Sequence, residues 1–294
     1  MSTNGGISEI GPAPSMFKTP GGRDRYFAAY DAMLARWPTQ VDALDLPTRF
    51  GPTHINACGP ADAPPLLLLP GAAFSSTMWY PNVAGLNNHF RIYALDIIGD
   101  MGKSVLIGPK PALSDYETWL SDVLDELALQ ETYLAGLSVG GYIAARQAMD
   151  APERVRRLVL MSPAGFVPFR KRFWLALAGF LLPVPLPERL KWMLGGVSPH
   201  TVDVFRQATT RTDFRYNMLV PKKFTGDELA RIKAPTLLLM GDQDGVFSGQ
   251  AVFSRVRGWV KDIRCEWVPG AGHAQSLDRP DRVNQALVDF LGSE

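Results

Sequence analysis

One serine stands in a setting where its hydroxyl could act as a nucleophile. Ser138 is the centre of the pentapeptide Gly136-Leu137-Ser138-Val139-Gly140, which follows an apolar run and precedes an alanine-rich stretch of helical character. A sharp turn between a strand and a helix exposes such a hydroxyl, and the glycines remove side chains that would collide with the neighbouring elements. Because the same pentapeptide also occurs in ordinary glycine-rich turns, the rest of the chain must decide its meaning.

A serine hydroxyl is a poor nucleophile at neutral pH and needs a base that takes its proton. Of the four histidines, His273 lies in a loop of small residues, 269–274, directly after the last predicted strand. Such a loop lets the backbone approach the serine closely, so His273 is the expected base. His54, His89 and His200 fall in a hairpin, at a helix end and in a later helical interval, and we interpret them as structural or surface residues.

The imidazolium that forms during catalysis must be oriented by a buried carboxylate. The apolar run 236–240 is followed by Gly241-Asp242-Gln243-Asp244, which offers two aspartates. Asp244, three residues beyond the glycine, is better placed to turn back toward the sheet, and Asp242 is the alternative. The serine, the acid and the histidine then follow one another along the chain in that order.

Attack on a carbonyl group creates an oxyanion, which fixed backbone N–H groups stabilise. Val139 follows the nucleophile and opens a helix, whose dipole also favours negative charge, so it is one expected donor. The other is expected in the loop 70–76, after the run 66–69, with Ala72 favoured and Ala73 in reserve. Alanines suit this task because a backbone donor asks only for a small residue.

These motifs resemble those of the α/β-hydrolase superfamily from about residue 48 to the end of the chain. The segments 71–82, 96–100 and 136–138 resemble, more narrowly, bacterial carboxylesterases of the naproxen-esterase-like group. The resemblance implies an α/β-hydrolase fold and a cofactor-free serine esterase that works through an acyl-enzyme. Apolar side chains near the expected oxyanion donors and in the later helical interval favour esters of short to medium acyl or aryl groups. The chain departs from the superfamily pattern in two places. Pro70 stands where the superfamily usually has histidine before the oxyanion glycine, and Asp100-Met101-Gly102 replaces the usual pair of any residue and glycine after Gly99.

The chain alternates short apolar runs with helical segments. The runs have the length of strands buried on both faces and lie at 66–69, 91–95, 132–134, 155–161, 236–240 and 263–268. Helices are predicted at 24–37, 114–129, 140–149 and 280–291, and a hairpin at 48–57 around Gly51-Pro52. This alternation predicts an α/β protein with a mostly parallel central sheet, whose ligand chemistry lies at the carboxyl ends of the strands.

The interval 166–228 interrupts this alternation, because it contains clustered prolines and no strand-like run. We interpret it as a helical cap inserted in a core of residues 23–165 and 229–294, and residues 1–22, rich in Gly, Pro and Ser, as a mobile arm. The cap carries a net charge of +5. That charge is typical of a solvated helix face. A second, functional hypothesis is that the cap prefers acidic substrates, through Arg170, Lys171 and Arg172, or anionic lipid.

Apolar side chains near the loop 70–76 and in the cap could line a substrate pocket. The candidates are Phe74, Met78, Trp79, Phe166, Phe169, Phe173 and Trp174. Aromatic residues at helical spacing also pack cores, and the sequence leaves both roles open.

Composition excludes several other classes of protein. Thirty Lys and Arg against 29 Asp and Glu do not favour nucleic acid as a partner. Cys58 and Cys265 form neither a disulfide framework nor a metal-binding pattern, so no metal is expected. The start of the chain lacks a secretory signal, and the apolar run 173–182 is far below the roughly 20 residues of a membrane helix. We therefore predict a cytoplasmic protein without a transmembrane segment, acting on a small molecule.

Three alternative functions remain open at this stage. A lactonase or a carbon–carbon bond hydrolase would use the same three residues, and a non-catalytic binding protein could keep the scaffold. The segment 99–104 hints at a phosphate loop, but Ile97 stands where that motif requires glycine. The physiological substrate, its stereochemistry and the oligomeric state are not readable from the sequence.

Overall fold

Eight strands form one sheet in the order β1-β2-β4-β3-β5-β6-β7-β8. The computed structural model describes residues 17–109, 111–178, 183–209 and 221–293. The strands are β1 Asp42–Leu46, β2 Thr53–Cys58, β3 Pro65–Leu69, β4 Arg91–Leu95, β5 Thr132–Leu137, β6 Val155–Met161, β7 Thr236–Gly241 and β8 Ile263–Val268. The first two pairings are antiparallel and the remaining five are parallel. The predicted α/β class with a mostly parallel sheet is thus confirmed.

Helices cover the sheet and fill the interval between β6 and β7. They are α1 Pro20–Leu34, α2 Tyr80–Leu86, α3 Asp115–Glu126, α4 Val139–Asp150, α5 Lys171–Ala178, α6 Leu186–Leu194, α7 Pro199–Thr209, α8 Gly226–Leu229, α9 Gly249–Arg257, α10 Gln275–Asp278 and α11 Pro280–Leu291. Within the described part of 166–228, four of these helices and no strand occur. The division of the chain into a core and a cap stays a prediction.

The hairpin lies earlier than predicted. Its strands are β1 and β2, paired so that Asp42 faces Ala57 and Leu46 faces Thr53, whereas the sequence favoured 48–57. The connection 47–52 contains Pro47 and Pro52. Proline cannot donate to a strand ladder, so pairing stops before the first proline and resumes after the second.

The predicted N-terminal arm is too long. Phe17 is buried, and its ring packs against Tyr26 with centroids 5.6 Å apart. Helix α1 begins at Pro20, because the Thr19 side chain accepts the N–H of Gly22 and proline suits the first helical position. Residues 17–22 therefore belong to the fold, and the remainder of the predicted arm, 1–16, lies outside the described residues.

Four loops leave the sheet at the carboxyl ends of parallel strands. They follow β3, β5, β7 and β8. The residues of the first three strands are mostly buried, but β8, at the edge of the sheet, has one buried residue, which corrects the prediction that it is buried on both faces. Parallel strands end at the same edge of the sheet. The oxyanion loop (70–76), the serine turn (around Ser138), the acid loop (242–248) and the histidine loop (269–274) therefore all emerge at that edge.

In the part of the chain that the structure describes, we find no helix with the length and apolar character of a membrane span.

Candidate active site

Ser138 occupies a strained turn between β5 and α4. Its φ and ψ angles are +53° and −110°, and a non-glycine residue held in such a region costs about 1–3 kcal/mol. The turn is held by the Ser138 N–H, which donates to the Met161 carbonyl at 2.9 Å. A Cβ at Gly136 would lie 2.4 Å from the backbone of Gly140, and one at Gly140 would lie 2.4 Å from the Leu69 carbonyl. The two glycines are therefore required by the close approach of strand and helix.

His273 and Asp244 form a buried pair. The imidazole Nδ1 lies 3.1 Å from Asp244 Oδ2, and the other carboxylate oxygen, Oδ1, accepts the N–H groups of Val246 and Phe247 at 2.7 and 3.0 Å. Burial alone would raise the pKa of Asp244, but the His273 charge and hydrogen bond, with the Phe247 N–H, hold that pKa below its ordinary value. Asp244 thus stays ionised and can stabilise an imidazolium.

Asp242, the alternative acid, lies on the surface. Its Oδ1 accepts the N–H of Gly270 at 2.8 Å, so it joins the acid loop to the histidine loop from outside. The geometry favours Asp244 as the orienting carboxylate and gives Asp242 a role in holding the two loops together.

The second ring nitrogen of His273 is not part of the pair with Asp244. Since Asp244 occupies Nδ1, Nε2 is the nitrogen that can serve Ser138. Among the hydrogen bonds of the described residues, none joins Ser138 to His273; such bonds are often long before substrate binds. The Phe247 ring packs edge-on against the imidazole with centroids 5.4 Å apart, which limits its rotation.

The loop after β3 distinguishes between the two alanine donors. The Ala73 N–H points to the Asp100 carboxylate, 3.3 Å from each oxygen. No hydrogen bond between described residues engages the Ala72 N–H, and Ala72 is partly exposed. Val139 opens α4, where the first N–H has no partner within the helix. The geometry therefore favours Ala72 with Val139 and leaves Ala73 bound elsewhere.

The chain also matches a known family of proteins. Residues 66–286 match the family described as Alpha/beta hydrolase family. The chain belongs to that family. The match includes all three residues that the sequence nominated for catalysis and confirms the superfamily resemblance drawn from the motifs.

Two relatives from Bacillus subtilis (strain 168) are similar to this hydrolase over most of their length. The protein named "Uncharacterized carboxylesterase nap" is 36% identical, over 92% of this chain and 93% of its own. Carboxylesterase YbfK is 38% identical, over 91% and 93%. The crystal structure of naproxen esterase from the same species has a TM-score of 0.85 at 35% identity, over 93% of this chain and 99% of that one. The narrower resemblance is confirmed as well.

The pocket candidates of the hydrolase occupy three kinds of environment. Met78, Trp79 and Phe166 are fully buried in the main hydrophobic core. The Phe74 ring contacts Phe205 of α7 with centroids 4.9 Å apart. A third group consists of Phe169, Phe173 and Trp174, whose rings contact one another, and Phe169 also contacts Phe247. Trp174 is about half exposed. Their role as pocket lining stays a prediction.

Arg170 and Arg172 bind the acid loop of the hydrolase. Arg170 donates to the Asp244 carbonyl at 3.1 Å, and Arg172 to the Gly245 carbonyl at 3.2 Å. These guanidinium groups therefore hold α5 against the acid loop. These bonds give the two arginines a structural role, and the hypothesis that Arg170, Lys171 and Arg172 favour acidic substrates stays a prediction.

Sequence reasoning missed two buried carboxylates that hold the loops of the site. Asp278 accepts the N–H groups of Gly272 and Ser198, both at 2.9 Å, and so joins the histidine loop to the segment before α7. Asp96 accepts the N–H of Ser76 at 2.7 Å and the hydroxyl of Tyr30 at 3.0 Å. The one available signal for Asp96 is its position directly after β4.

Proposed function

We propose that this hydrolase is a serine carboxylesterase acting on small-molecule esters. The observation that carries the proposal is the buried Asp244–His273 pair, with Nδ1 and Oδ2 3.1 Å apart, on the sheet edge where Ser138 occupies its strained turn. The named carboxylesterases at 36% and 38% identity support ester hydrolysis as the chemistry.

The proposed reaction proceeds in two halves. Ser138 Oγ attacks the ester carbonyl carbon while its proton passes to His273 Nε2, and the N–H groups of Ala72 and Val139 bind the oxyanion. The intermediate collapses, the carbon–oxygen bond to the alcohol breaks, and His273 returns the proton to that alcohol. Water, deprotonated by the same imidazole, then attacks the acyl-enzyme and releases the acid and free Ser138.

We also propose that residues 166–228 act as the cap over this site. Two contacts of α7 support this role: Phe205 packs on Phe74 of the oxyanion loop, and Gln207 accepts the hydroxyl of Thr77, the residue after that loop, at 3.2 Å. An aromatic contact above the oxyanion loop suits short to medium acyl or aryl groups.

The test is labelling by a p-nitrophenyl alkylphosphonate, which loses p-nitrophenolate when a serine attacks its phosphorus, together with initial rates on p-nitrophenyl esters from acetate to palmitate. Wild-type protein should be labelled and active, and Ser138→Ala should be spared and keep less than about one thousandth of kcat. Ser254→Ala, an exposed serine on α9, is the matched control and should behave as wild type. Undiminished labelling or turnover by Ser138→Ala would refute the proposal. Turnover of a homoserine lactone far above that of every ester would make the protein a lactonase with the same residues.

A further inference from the structure

The oxyanion loop, residues 70–76, contains an alanine in an unfavourable backbone conformation. Ala73 has a φ of +62°, in the left-handed region that costs an L-residue about 1–2 kcal/mol. A residue stays there only when its surroundings hold it. The proposed donor, the N–H of Ala72, belongs to the residue immediately before it.

Asp100 supplies contacts that hold this conformation. Its side chain is buried, with 6% of the residue exposed. Both carboxylate oxygens lie 3.3 Å from the Ala73 nitrogen, and Oδ1 also accepts the N–H of Met101 at 2.7 Å. Hydrogen bonds to an ionised acceptor are about twice as strong as neutral ones. The carboxylate thus orients the peptide between Ala72 and Ala73 from a loop 27 positions further along the chain.

We propose that Asp100 is a positioning residue for the oxyanion site. By binding the Ala73 N–H, it keeps that group away from the substrate and fixes the peptide plane next to Ala72. Only the φ and ψ angles of Ala72 separate this plane from the preceding one, which carries the Ala72 N–H, so fixing the first plane restricts the directions that this N–H can take. The inference rests on the proposed function, because it requires Ala72 to be a donor to the oxyanion.

A purely structural role for Asp100 would have different consequences. Phe17, Tyr26, Tyr30 and Met101 form a small buried cluster with Ala73, so loss of Asp100 could lower stability through packing alone. Lower stability reduces the amount of folded protein and leaves the preference for transition state over substrate unchanged. A positioning role changes that preference, since the oxyanion exists only after attack.

The experiment compares Asp100→Asn and Asp100→Leu with wild type, corrected for the folded fraction by circular dichroism. Loss of one oxyanion donor costs about 100- to 1000-fold in kcat, and a misplaced donor should cost less. We expect kcat to fall about 30-fold for Asp100→Leu and about fivefold for Asp100→Asn, with KM changed less than about twofold. Inhibition by a trifluoromethyl ketone, which forms an oxyanion on the serine, should weaken by the same factors.

Thr53→Val is the matched control, because it removes a buried hydrogen bond, from Trp119 Nε1 at 2.8 Å, that joins β2 to α3 and involves no residue of the oxyanion loop. It should lower stability and leave kcat and ketone inhibition unchanged. Wild-type kcat and ketone inhibition in folded Asp100→Asn would overturn the inference, even if Asp100→Leu fails to fold. Failure of the proposed function is distinguishable, because Ser138→Ala would then match wild type whatever the Asp100 variants do.

Discussion

The backbone carbonyl of Leu194, the last residue of α6, accepts the N–H of His273 at 2.9 Å. The same carbonyl accepts the N–H of Gly245 at 2.8 Å. One oxygen atom of the predicted cap is therefore bound to the histidine loop and to the acid loop. Because both bonds are directional, a displacement of α6 must also displace the backbone that carries the imidazole.

Gly195, which follows this carbonyl, should not tolerate a side chain. It has a φ of +95°, and a Cβ there would lie 1.7 Å from the Gln243 carbonyl. We expect Gly195→Ala to lower the free energy of unfolding by at least about 2 kcal/mol and to reduce kcat, because the acid loop must move. Urea denaturation and initial rates measure the two effects.

Gly258→Ala is the control for this prediction. Gly258 has a φ of −79°, and its Cβ would meet its nearest neighbour at 3.5 Å, an ordinary contact. Equal stability losses in the two variants would contradict the explanation.

Asp244→Asn should disable the base without disturbing the fold. The amide keeps the shape of the carboxylate but cannot stabilise an imidazolium, and the corresponding change in serine proteases lowers kcat about 10⁴-fold. Rates on a p-nitrophenyl ester measure this loss. Asp242→Asn, at the exposed neighbour, should keep most of the activity. An equal loss of kcat in both variants would contradict the choice of Asp244 as the orienting carboxylate.

Asp244 should also contribute to the acid sensitivity of the fold. Its pKa lies below the ordinary value of about 4 because His273 and backbone N–H groups outweigh the opposing effect of burial. Such a group stabilises the folded state above that ordinary value, and this stability is lost as the pH falls through the lower folded-state pKa. We expect the free energy of unfolding to fall more steeply below about pH 4 in wild type than in Asp244→Asn. Urea titrations at several pH values give the free energy of unfolding of each protein. If it depends on pH in the same way in wild type and in Asp244→Asn, Asp244 makes no such contribution.

Tyr30→Phe should destabilise the support of the oxyanion loop. The hydroxyl donates to Asp96 at 3.0 Å, accepts the Asn56 amide at 2.6 Å and lies 3.0 Å from Ser76 Oγ. Its removal leaves buried hydrogen-bond partners unsatisfied, so we expect the free energy of unfolding, measured by urea denaturation, to fall by about 1–3 kcal/mol. Tyr116→Phe, another buried tyrosine with one bond of 3.3 Å to the Ile98 carbonyl, should lose less. A larger loss in Tyr116→Phe would contradict this ranking.

The two cysteines should differ in reactivity toward a thiol reagent. Cys58 is 1% exposed, and burial raises the pKa of its thiol to about 12. Cys265 is half-buried, and burial raises its pKa as well. We expect iodoacetamide at pH 8 to modify Cys265 slowly and Cys58 only after unfolding, since the thiolate is the reactive form. Peptide mass spectrometry locates the label; native modification of Cys58 first would contradict the burial argument.

The sequence predicted those features that depend on local pattern. The bounds of β4, β6, β8 and α11 follow from apolar runs and from Pro280, and the nucleophile candidate follows from its glycines. It favoured Ala72 over Ala73 but could not settle that choice, because the Ala73 N–H is bound by Asp100, a residue distant in sequence. For the same reason it could not foresee that Arg170 binds the Asp244 carbonyl, which lies 74 positions away.

Helix α1 is synthesised before the residues that hold it. The partners of Tyr30 extend to position 96, and Arg36, just after the helix, pairs with Asp203 of α7 at 3.0 Å. Contacts between residues so far apart close large loops, which are slow to form. The partners of Tyr30 are therefore complete once residue 96 has been synthesised, whereas the pair with Asp203 cannot form before more than a hundred further residues have been added. A nascent chain arrested between these two points contains every residue that binds the Tyr30 hydroxyl and lacks the acid that pairs with Arg36.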